Sequence, residues 1–283
     1  ENAVSAVQGQ VVEAHRVAVP VTLADHREVS KFLIDCPDPE RLSAQLRQLS
    51  DQYGADIALQ SRLSRCRPYG LAVFDMDSTL ISCEVIDELA RVAGVGAEVA
   101  AITERAMRGE LDFDESFRTR LALLEGLDAG AVDELADQLP VQSGLSEMAT
   151  TLKARGLRLA IFSGGFIPIA ERLKNDYGFD HVVANGLEIR DGKVTGKIIP
   201  PIVNREYKAE ALGALASQLG IHTEHCIAVG DGANDLSMMA LAGLGVAFHA
   251  KPAVRAASPI EITHIGLDGV CYLMGHEGEF AAA

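Results

Sequence analysis

Two carboxylates follow directly after a run of apolar residues at positions 71–80, LAVFDMDSTL. Four apolar residues without polar alternation predict a short strand that is buried on both faces. Open α/β sheets bind ligands at the carboxyl ends of their strands, so Asp75 and Asp77 are placed to meet a cation or a phosphate. Side chains alternate along an extended chain, and the two acids therefore project towards one site. Ser78 and Thr79 can cap the turn and offer backbone N–H groups to an anion.

A serine and two glycines follow a second apolar run, at 157–162. Ser163, Gly164 and Gly165 let backbone N–H groups approach an anion closely, and the next helix adds the partial positive charge of its N-terminus. The alternative is an ordinary glycine turn with an exposed serine.

The segment GDGAND at 230–235 follows a third predicted strand, at 226–229. Asp231 and Asp235 lie four positions apart with Asn234 between them, which makes an oxygen-rich loop suited to a hard divalent cation. An EF-hand loop is excluded because its glycine and glutamate spacing is absent. The alternative is a polar turn before a helix.

Four carboxylates in one site would raise one another's pKa values unless cations are present. Lys208, near the start of a predicted helix at 205–219, is the counter-charge that the sequence offers. One Mg²⁺ ion together with this lysine satisfies the requirement. Taken alone, Lys208 would be a solvated surface residue.

Helices and strands alternate after residue 143, which favours a parallel sheet with helices on both faces. Residues 84–139 are helical almost throughout, fit four helices and are interpreted as a lid inserted over the strand ends. The predicted helices after residue 143 are 145–155, 167–177, 205–219 and 236–242; the strands are 157–162, 226–229, 246–249 and 260–264, with a hairpin at 191–192.

The first 66 residues form a different unit with a predicted β-α-β order: strand 11–23, helix 39–53 and strand 55–59. No catalytic constellation is recognisable there, and 61–69 is predicted to be a linker. The tail at 276–283 is expected to fray. Because the chain begins at Glu1 rather than methionine, we expect further residues upstream.

The chain has 283 residues, 48% of them hydrophobic, and a net charge of −15 with a pI near 4.9. This acidity makes nucleic acid and anionic membrane surfaces poor partners. No run approaches the roughly 20 apolar residues of a membrane span, and no signal segment opens the chain, so we expect a soluble cytoplasmic protein. Five scattered cysteines indicate neither disulfides nor a zinc site. Cys83, beside the acidic motif, is interpreted as a packing residue.

Together these motifs resemble, in order and spacing, the haloacid dehalogenase superfamily of aspartate-dependent phosphatases, and within it the phosphoserine phosphatases. The resemblance runs from residue 71 to the last predicted strand and is supported by segment 103–120 and by FSGGF at 162–166. It implies an α/β fold in which a Rossmann-like parallel sheet carries a helical-bundle cap. The implied domains are an ACT-like α+β unit at 1–66, a catalytic core at 67–83 and 140–275, and the cap at 84–139.

The resemblance implies hydrolysis of O-phospho-L-serine to L-serine and phosphate, the last step of serine biosynthesis, through an aspartyl-phosphate. Asp75 would be the nucleophile, and Asp77 would protonate the serine oxygen and then activate water. The remaining roles implied are Mg²⁺ ligands (Asp75, Asp231 and the main-chain carbonyl of Asp77), phosphoryl contacts (Ser163, Gly164 and Lys208), and residues that orient Lys208 and the metal waters (Asp235 and Asn234).

Cap residues would select the substrate. Glu84 and Arg120 have charges complementary to the ammonium and carboxylate of phosphoserine. Their alternatives are a helix first-turn acid and a surface arginine. Met107 and Phe113 are predicted to close over the substrate, or else to be bundle core.

Two rival functions stay open. One keeps the chemistry but uses another small phosphomonoester, or transfers the phosphoryl group to an alcohol. The other is a catalytically silent amino-acid sensor that uses the N-terminal unit. A homodimer through the N-terminal unit is a further possibility.

Overall fold

The computed structural model describes residues 2–17 and 28–275, and its first elements form a small two-stranded sheet with helices. The helix α1 (Asn2–Ala6) precedes the antiparallel strands β1 (Gln10–Val17) and β2 (Val29–Asp35). The helix α2 (Pro39–Tyr53) is capped at its N-terminus by Asp38, whose carboxylate accepts a hydrogen bond from the backbone of Arg41. The short helix α3 (Arg62–Arg65) follows.

The predicted β-α-β order of this N-terminal unit is wrong. Residues 55–59 form no strand. Asp56 instead accepts backbone hydrogen bonds from Thr263 (2.6 Å) and Ile265 (2.9 Å), which holds this segment against the residues that follow β9. The second strand is β2, where polar residues interrupt the apolar pattern, and α3 lies within the predicted linker. Residues 18–23 of the predicted first strand and the tail at 276–283 lie outside the described residues.

A seven-stranded sheet occupies the centre of the remaining chain, in the order β6-β5-β4-β3-β7-β8-β9. All neighbouring pairs are parallel except β5 and β6, which form the predicted hairpin. The strands are β3 (Leu71–Phe74), β4 (Arg158–Phe166), β5 (His181–Arg190), β6 (Lys193–Ile199), β7 (Cys226–Gly230), β8 (Leu244–Phe248) and β9 (Ile260–Ile262).

The apolar run of β3 is buried on both faces, as predicted. Leu71 and Val73 pack into the core on one side of the sheet, whereas Ala72 and Phe74 pack into the core on the other side. Burying all four side chains favours a central position in the sheet, since an edge strand would leave part of this surface in water.

Four helices lie within residues 84–139, the number that the sequence predicts, and this segment is called the cap below. They are α4 (Val85–Ala93), α5 (Gly96–Met107), α6 (Phe113–Ala122) and α7 (Gly130–Asp137). An isolated antiparallel bridge between Ile81 and Val141 joins the two connections to the core, so the cap starts and ends at one place.

Six further helices cover the sheet, and the first four of them lie where the sequence predicts helices. They are α8 (Leu145–Ala154), α9 (Ile167–Tyr177), α10 (Arg205–Gln218), α11 (Leu236–Leu241), α12 (Pro252–Ala257) and α13 (Gly269–Tyr272). The last two, of six and four residues, are not among the predicted helices. None of the helices within 2–17 and 28–275 is long and apolar enough to span a bilayer.

Candidate active site

The strand order brings the three sequence motifs to one edge of the sheet. After β3 the chain moves outward through β4 and β5, and it then returns to the other side of β3 with β7. Ligand sites of open α/β sheets lie at such a reversal, outside the carboxyl ends of the strands. Asp75 and Asp231 follow β3 and β7, and Ser163 lies in the last part of β4.

Lys208 joins two of the acids in a buried ion-pair cluster. Its Nζ lies 2.8 Å from Asp75 Oδ1 and 2.7 Å from Asp235 Oδ1, and the lysine is fully buried. Burial opposes the charge of the ammonium group, but the carboxylates of Asp235 and Asp75 outweigh burial and raise the pKa of Lys208 above its ordinary range. The structure therefore places Lys208 as the internal counter-charge of the acids and not as a surface residue.

Asp75, Asp231 and Asp235 could hold a metal ion. All three are buried, and each offers a carboxylate oxygen within 4.8 Å of the others. An all-oxygen set of this kind fits a hard divalent cation such as Mg²⁺. Asp75 and Asp231 belong to the predicted set, and Asp235 is the third side chain of this group. The main-chain carbonyl of Asp77, which the resemblance implies as a further ligand, stays a prediction.

The pKa values of the acids show that the cluster lacks positive charge. Burial and the neighbouring carboxylate of Asp235 raise the pKa of Asp75 well above its ordinary value, although Lys208 lowers it. Burial, assisted by Asp235 and Glu84, raises the pKa of Asp231 to about 7. One lysine thus does not keep this cluster fully ionised, and a divalent cation bound here would supply the missing positive charge.

Two glycines in the 230–235 loop allow Asp235 to enter the cluster. A Cβ at Gly230 would overlap the Asp235 side chain. Gly232 donates its backbone N–H to Asp235 Oδ2 at 3.0 Å, while the other carboxylate oxygen accepts from Lys208. Asn234 lies in the same single turn of 3₁₀ helix. Close packing around the Asp235 side chain therefore favours glycine at position 230.

Asp77 lies beside the cluster, on the side of the cap. Its Oδ1 accepts a hydrogen bond from the backbone of Val85 at 3.3 Å. A Cβ on Gly165 would lie 2.5 Å from Met76 Cε and 2.9 Å from Asp77 Oδ2, so a larger residue at position 165 would displace both side chains. Burial, together with the charge of Glu84, raises the pKa of Asp77 to about 8. A carboxyl group with this pKa can carry a proton near neutral pH.

The turn after Asp77 is held in an uncommon backbone conformation. Ser78 has φ of 57°, in the left-handed region that non-glycine residues seldom occupy. Its backbone N–H donates to the carbonyl of Cys83, and its hydroxyl donates to Glu84 Oε1 at 2.8 Å. Both bonds fix the loop that leads from the acidic motif into the cap. Thr79 is fully buried, and its hydroxyl lies 3.5 Å from Asp231 Oδ1.

Glu84 and Arg120 face the site from the cap. Arg120 is half-buried, and its Nε is buried with no hydrogen-bond partner among the described residues. Burial lowers the pKa of the guanidinium, and the carboxylates of Asp87, Glu84 and Asp77 oppose this shift. An arginine whose donors are not fully used, close to acids that do not pair with it directly, has capacity to bind an anion.

The two predicted apolar closers lie in different surroundings. Phe113 stacks on Phe117 with ring centroids 6.3 Å apart, and its Cζ is 3.4 Å from the position that a Cβ of Gly164 would take. It therefore lies over the serine-glycine segment. Met107, at the end of α5, is 74% exposed. Its predicted role over the substrate stays a prediction.

Cys83 is not a nucleophile in this arrangement. Burial and the charge of Asp77 raise the pKa of its thiol to about 11, so it is protonated near neutral pH. It packs against the hydrophobic core, as predicted.

Sequence reasoning missed Asn185, a fully buried residue of β5. Its Nδ2 donates to the carbonyl of Gly164 at 2.7 Å, and its Oδ1 accepts from the backbone of Val203 at 2.8 Å. The available signal was a lone asparagine within a strand of otherwise mostly apolar residues.

We expect the metal-free protein to lose stability as the pH rises through 7 to 8. Acids whose pKa is raised in the folded state stabilise the fold below their unfolded pKa near 4, and this contribution is lost as the pH passes their folded values. Between pH 6 and pH 9 in chelator, the melting temperature should fall by roughly 5 °C. Mg²⁺ should raise it more at pH 8 than at pH 6, because protons and metal compete for the same oxygens. Calorimetry measures both effects.

The matched control for this pH dependence is Asp231→Asn. The amide does not titrate, so the fall in melting temperature should be clearly smaller than in the unmodified protein. Equal slopes in the two proteins would show that general charge repulsion, and not this cluster, causes the fall.

Comparison with known proteins agrees with this geometry. Residues 72–240 match the family model of the haloacid dehalogenase-like hydrolases. Phosphoserine phosphatase SerB2 of Mycobacterium tuberculosis is 46% identical over 249 residues, covering 88% of this chain and 60% of the relative. Phosphoserine phosphatase of Haemophilus influenzae is 46% identical over 219 residues, covering 77% of this chain and 70% of the relative.

A solved structure described as a phospho-aspartyl intermediate analogue of phosphoserine phosphatase superposes with a TM-score of 0.69 at 39% identity. The match covers 74% of this chain and all of that one. The present chain thus spans only part of the Mycobacterium relative's length but corresponds to the whole of this structure. The chain belongs to the haloacid dehalogenase-like hydrolases.

Proposed function

We propose that the chain is a Mg²⁺-dependent phosphoserine phosphatase that releases L-serine and phosphate. The observation that carries the proposal is the buried cluster of Asp75, Lys208 and Asp235, with Asp231 beside it, at the switch point of the sheet. The phosphoserine phosphatases among the relatives of this chain support the assignment of phosphoserine as its substrate.

In the proposed reaction Asp75 attacks the phosphorus atom. Lys208 Nζ contacts Oδ1 of this carboxylate at 2.8 Å, which leaves Oδ2 as the attacking oxygen. A bond forms between this oxygen and phosphorus while the bond from phosphorus to the serine oxygen breaks. A carboxylate suits the task because it needs no base to activate it once a cation holds it ionised.

Asp77 moves the protons of the reaction. In its protonated form, which the pKa of about 8 favours at neutral pH, it donates a proton to the departing serine oxygen. The resulting carboxylate then accepts a proton from the water that hydrolyses the aspartyl-phosphate. Its position two residues beyond the nucleophile lets one group serve both steps.

The phosphoryl oxygens are held by several groups at once, because no single group supplies enough stabilisation for so slow a reaction. Ser163, the Gly164 N–H and Lys208 contact these oxygens. The carboxylates of Asp75 and Asp231 and the main-chain carbonyl of Asp77 would hold Mg²⁺, with Asp235 and Asn234 as supporting residues. When bound, the metal neutralises the charge that develops on the phosphoryl group.

Glu84 and Arg120 select phosphoserine in this proposal by binding its ammonium and carboxylate groups. The unused Nε donor of Arg120 supports the assignment. Arg120→Lys keeps the charge but loses the planar fork that binds a carboxylate through two hydrogen bonds. We expect kcat/KM for O-phospho-L-serine to fall by about 100-fold and that for p-nitrophenyl phosphate to change by less than about 3-fold.

Arg118→Lys is the matched control, because Arg118 lies on the same helix but is exposed. It should leave both substrates unaffected. An equal loss on both substrates in Arg120→Lys would contradict the assignment, and preferred hydrolysis of another phosphomonoester by the unmodified protein would favour the rival substrate. Absence of any metal-dependent phosphate release would favour the amino-acid sensor.

Both the extent and the role of the N-terminal unit are proposals. The domain boundaries at residues 66, 84 and 139, the ACT-like character and a homodimer through this unit are inferences from sequence. Arg47 donates to the carbonyls of Arg255 and Ser258, and Arg255 pairs with Asp51 at 2.7 Å, so the unit contacts the core through charged groups. The five cysteines carry free thiols, which supports the proposed cytoplasmic location.

A further inference from the structure

Asn185 bridges the two segments that the proposed function assigns to phosphoryl binding. One is the serine-glycine end of β4, and the other is the connection into α10, the helix of Lys208. Asn185 is fully buried. Its side chain donates one hydrogen bond to the Gly164 carbonyl and accepts one from the Val203 N–H, both at normal distances. A side-chain amide is the group that can satisfy a carbonyl and an N–H together.

The bond to Gly164 fixes a peptide plane. The carbonyl of Gly164 and the N–H of Gly165 belong to one planar unit, so holding the carbonyl also orients the N–H. That N–H donates to Ser163 Oγ at 2.8 Å. The Ser163 oxygen therefore already accepts one hydrogen bond, and its own O–H is left to donate elsewhere.

We propose that Asn185 is a positioning residue that, through the Gly164–Gly165 peptide, directs the Ser163 hydroxyl towards a phosphoryl oxygen of the substrate. The inference rests on the proposed function for the role of Ser163, but not on the identity of the alcohol that leaves. Asn185 itself touches no reacting atom. The alternative is a purely structural role, in which the two hydrogen bonds only hold β5 against its neighbours. The effect of losing them would then not depend on Ser163, so an experiment can separate the two roles.

The test is a double-mutant cycle of Asn185→Leu with Ser163→Ala, assayed with p-nitrophenyl phosphate and Mg²⁺. Leucine keeps the volume and removes both hydrogen bonds. In the unmodified background kcat/KM should fall by about 10- to 100-fold, because the hydroxyl is no longer aimed. In the Ser163→Ala background the same change should cost less than about 3-fold, since no hydroxyl remains to orient. Equal losses in both backgrounds would overturn the proposal.

Leu152→Ala is the control for stability, because Leu152 is a fully buried core residue of α8 outside the site. It should lower the melting temperature and leave kcat/KM of the folded protein within about 2-fold. If Asn185→Leu does not fold, Asn185→Asp serves instead. A protonated aspartic acid can still donate to Gly164 but a carboxylate cannot, so activity relative to the unmodified protein should approach unity near pH 5.5 and fall about 10-fold by pH 9. A flat ratio would contradict the proposal.

Titration with inorganic phosphate and Mg²⁺ measures phosphate binding, instead of substrate hydrolysis, in the same four proteins of the double-mutant cycle. We expect Asn185→Leu to weaken phosphate binding in the unmodified background and not with Ser163→Ala. This readout holds even if O-phospho-L-serine is not the substrate, so failure of the proposed function and failure of the Asn185 role are distinguishable. Equal weakening in both backgrounds would again overturn the role.

Discussion

Asp75→Asn is expected to lower kcat for O-phospho-L-serine by at least about 10⁴-fold, to the limit of a phosphate-release assay. The amide keeps the size of the side chain but removes the nucleophilic carboxylate that the proposed covalent step requires. The metal-free variant should also be more stable than the unmodified protein above pH 6. Burial and the Asp235 charge disfavour the ionised form of Asp75, and the substitution removes that cost.

Higher stability with lost activity would separate chemistry from misfolding. Asp133→Asn is the control, because Asp133 is an exposed acid of the cap helix α7. It should leave turnover unchanged and lower the melting temperature by no more than about 3 °C, because Asp133 lies in the first turn of its helix. A kcat of Asp75→Asn within 10-fold of the unmodified enzyme would remove Asp75 from the role of nucleophile.

Lys208→Met is expected to have the second-largest effect, on both stability and activity. Methionine fills a similar volume but leaves the buried carboxylates of Asp75 and Asp235 without their cation. Breaking a buried ion pair from one side costs about 3–5 kcal/mol. Urea unfolding in chelator measures this loss, and kcat should fall by at least about 100-fold because a contact to the phosphoryl group disappears.

A second substitution separates the two effects of Lys208→Met. Adding Asp235→Asn removes one of the unpaired charges and should recover part of the lost stability, while activity stays low. Lys197→Met, at an exposed lysine of β6, should change neither quantity. If Lys208→Met is as stable as the unmodified protein, the buried cluster does not hold the charges assigned to it.

The centre of the fold and of the site was predictable because burial and charge leave direct marks on the sequence. The run before Asp75 has no polar residue, and only a strand with both faces covered accommodates it. The role of Lys208 followed from charge balance among the acids of two motifs, and the structure places its ammonium group between one acid of each, Asp75 and Asp235.

Other features depend on contacts that sequence spacing does not encode. The hydrogen-bond partners of Asn185 lie 21 and 18 residues away along the chain, so its role emerges only when β4, β5 and α10 pack together. Polar residues interrupt the apolar pattern of β2, so this strand was not predicted. The predicted strand at 55–59 is absent, and Asp56 in this segment accepts a hydrogen bond from the backbone of Thr263 instead. The left-handed turn at Ser78 is likewise imposed by its neighbours in the fold.

Oxygen exchange into inorganic phosphate tests the central claim most directly. If Asp75 displaces an oxygen from phosphorus to form an aspartyl-phosphate, the enzyme with Mg²⁺ and ¹⁸O-labelled phosphate should release the label into water in the absence of serine. Asp75→Asn should not. Mass spectrometry of the phosphate gives the result, and exchange that requires serine, or that persists in Asp75→Asn, would contradict a phosphoryl group carried by residue 75.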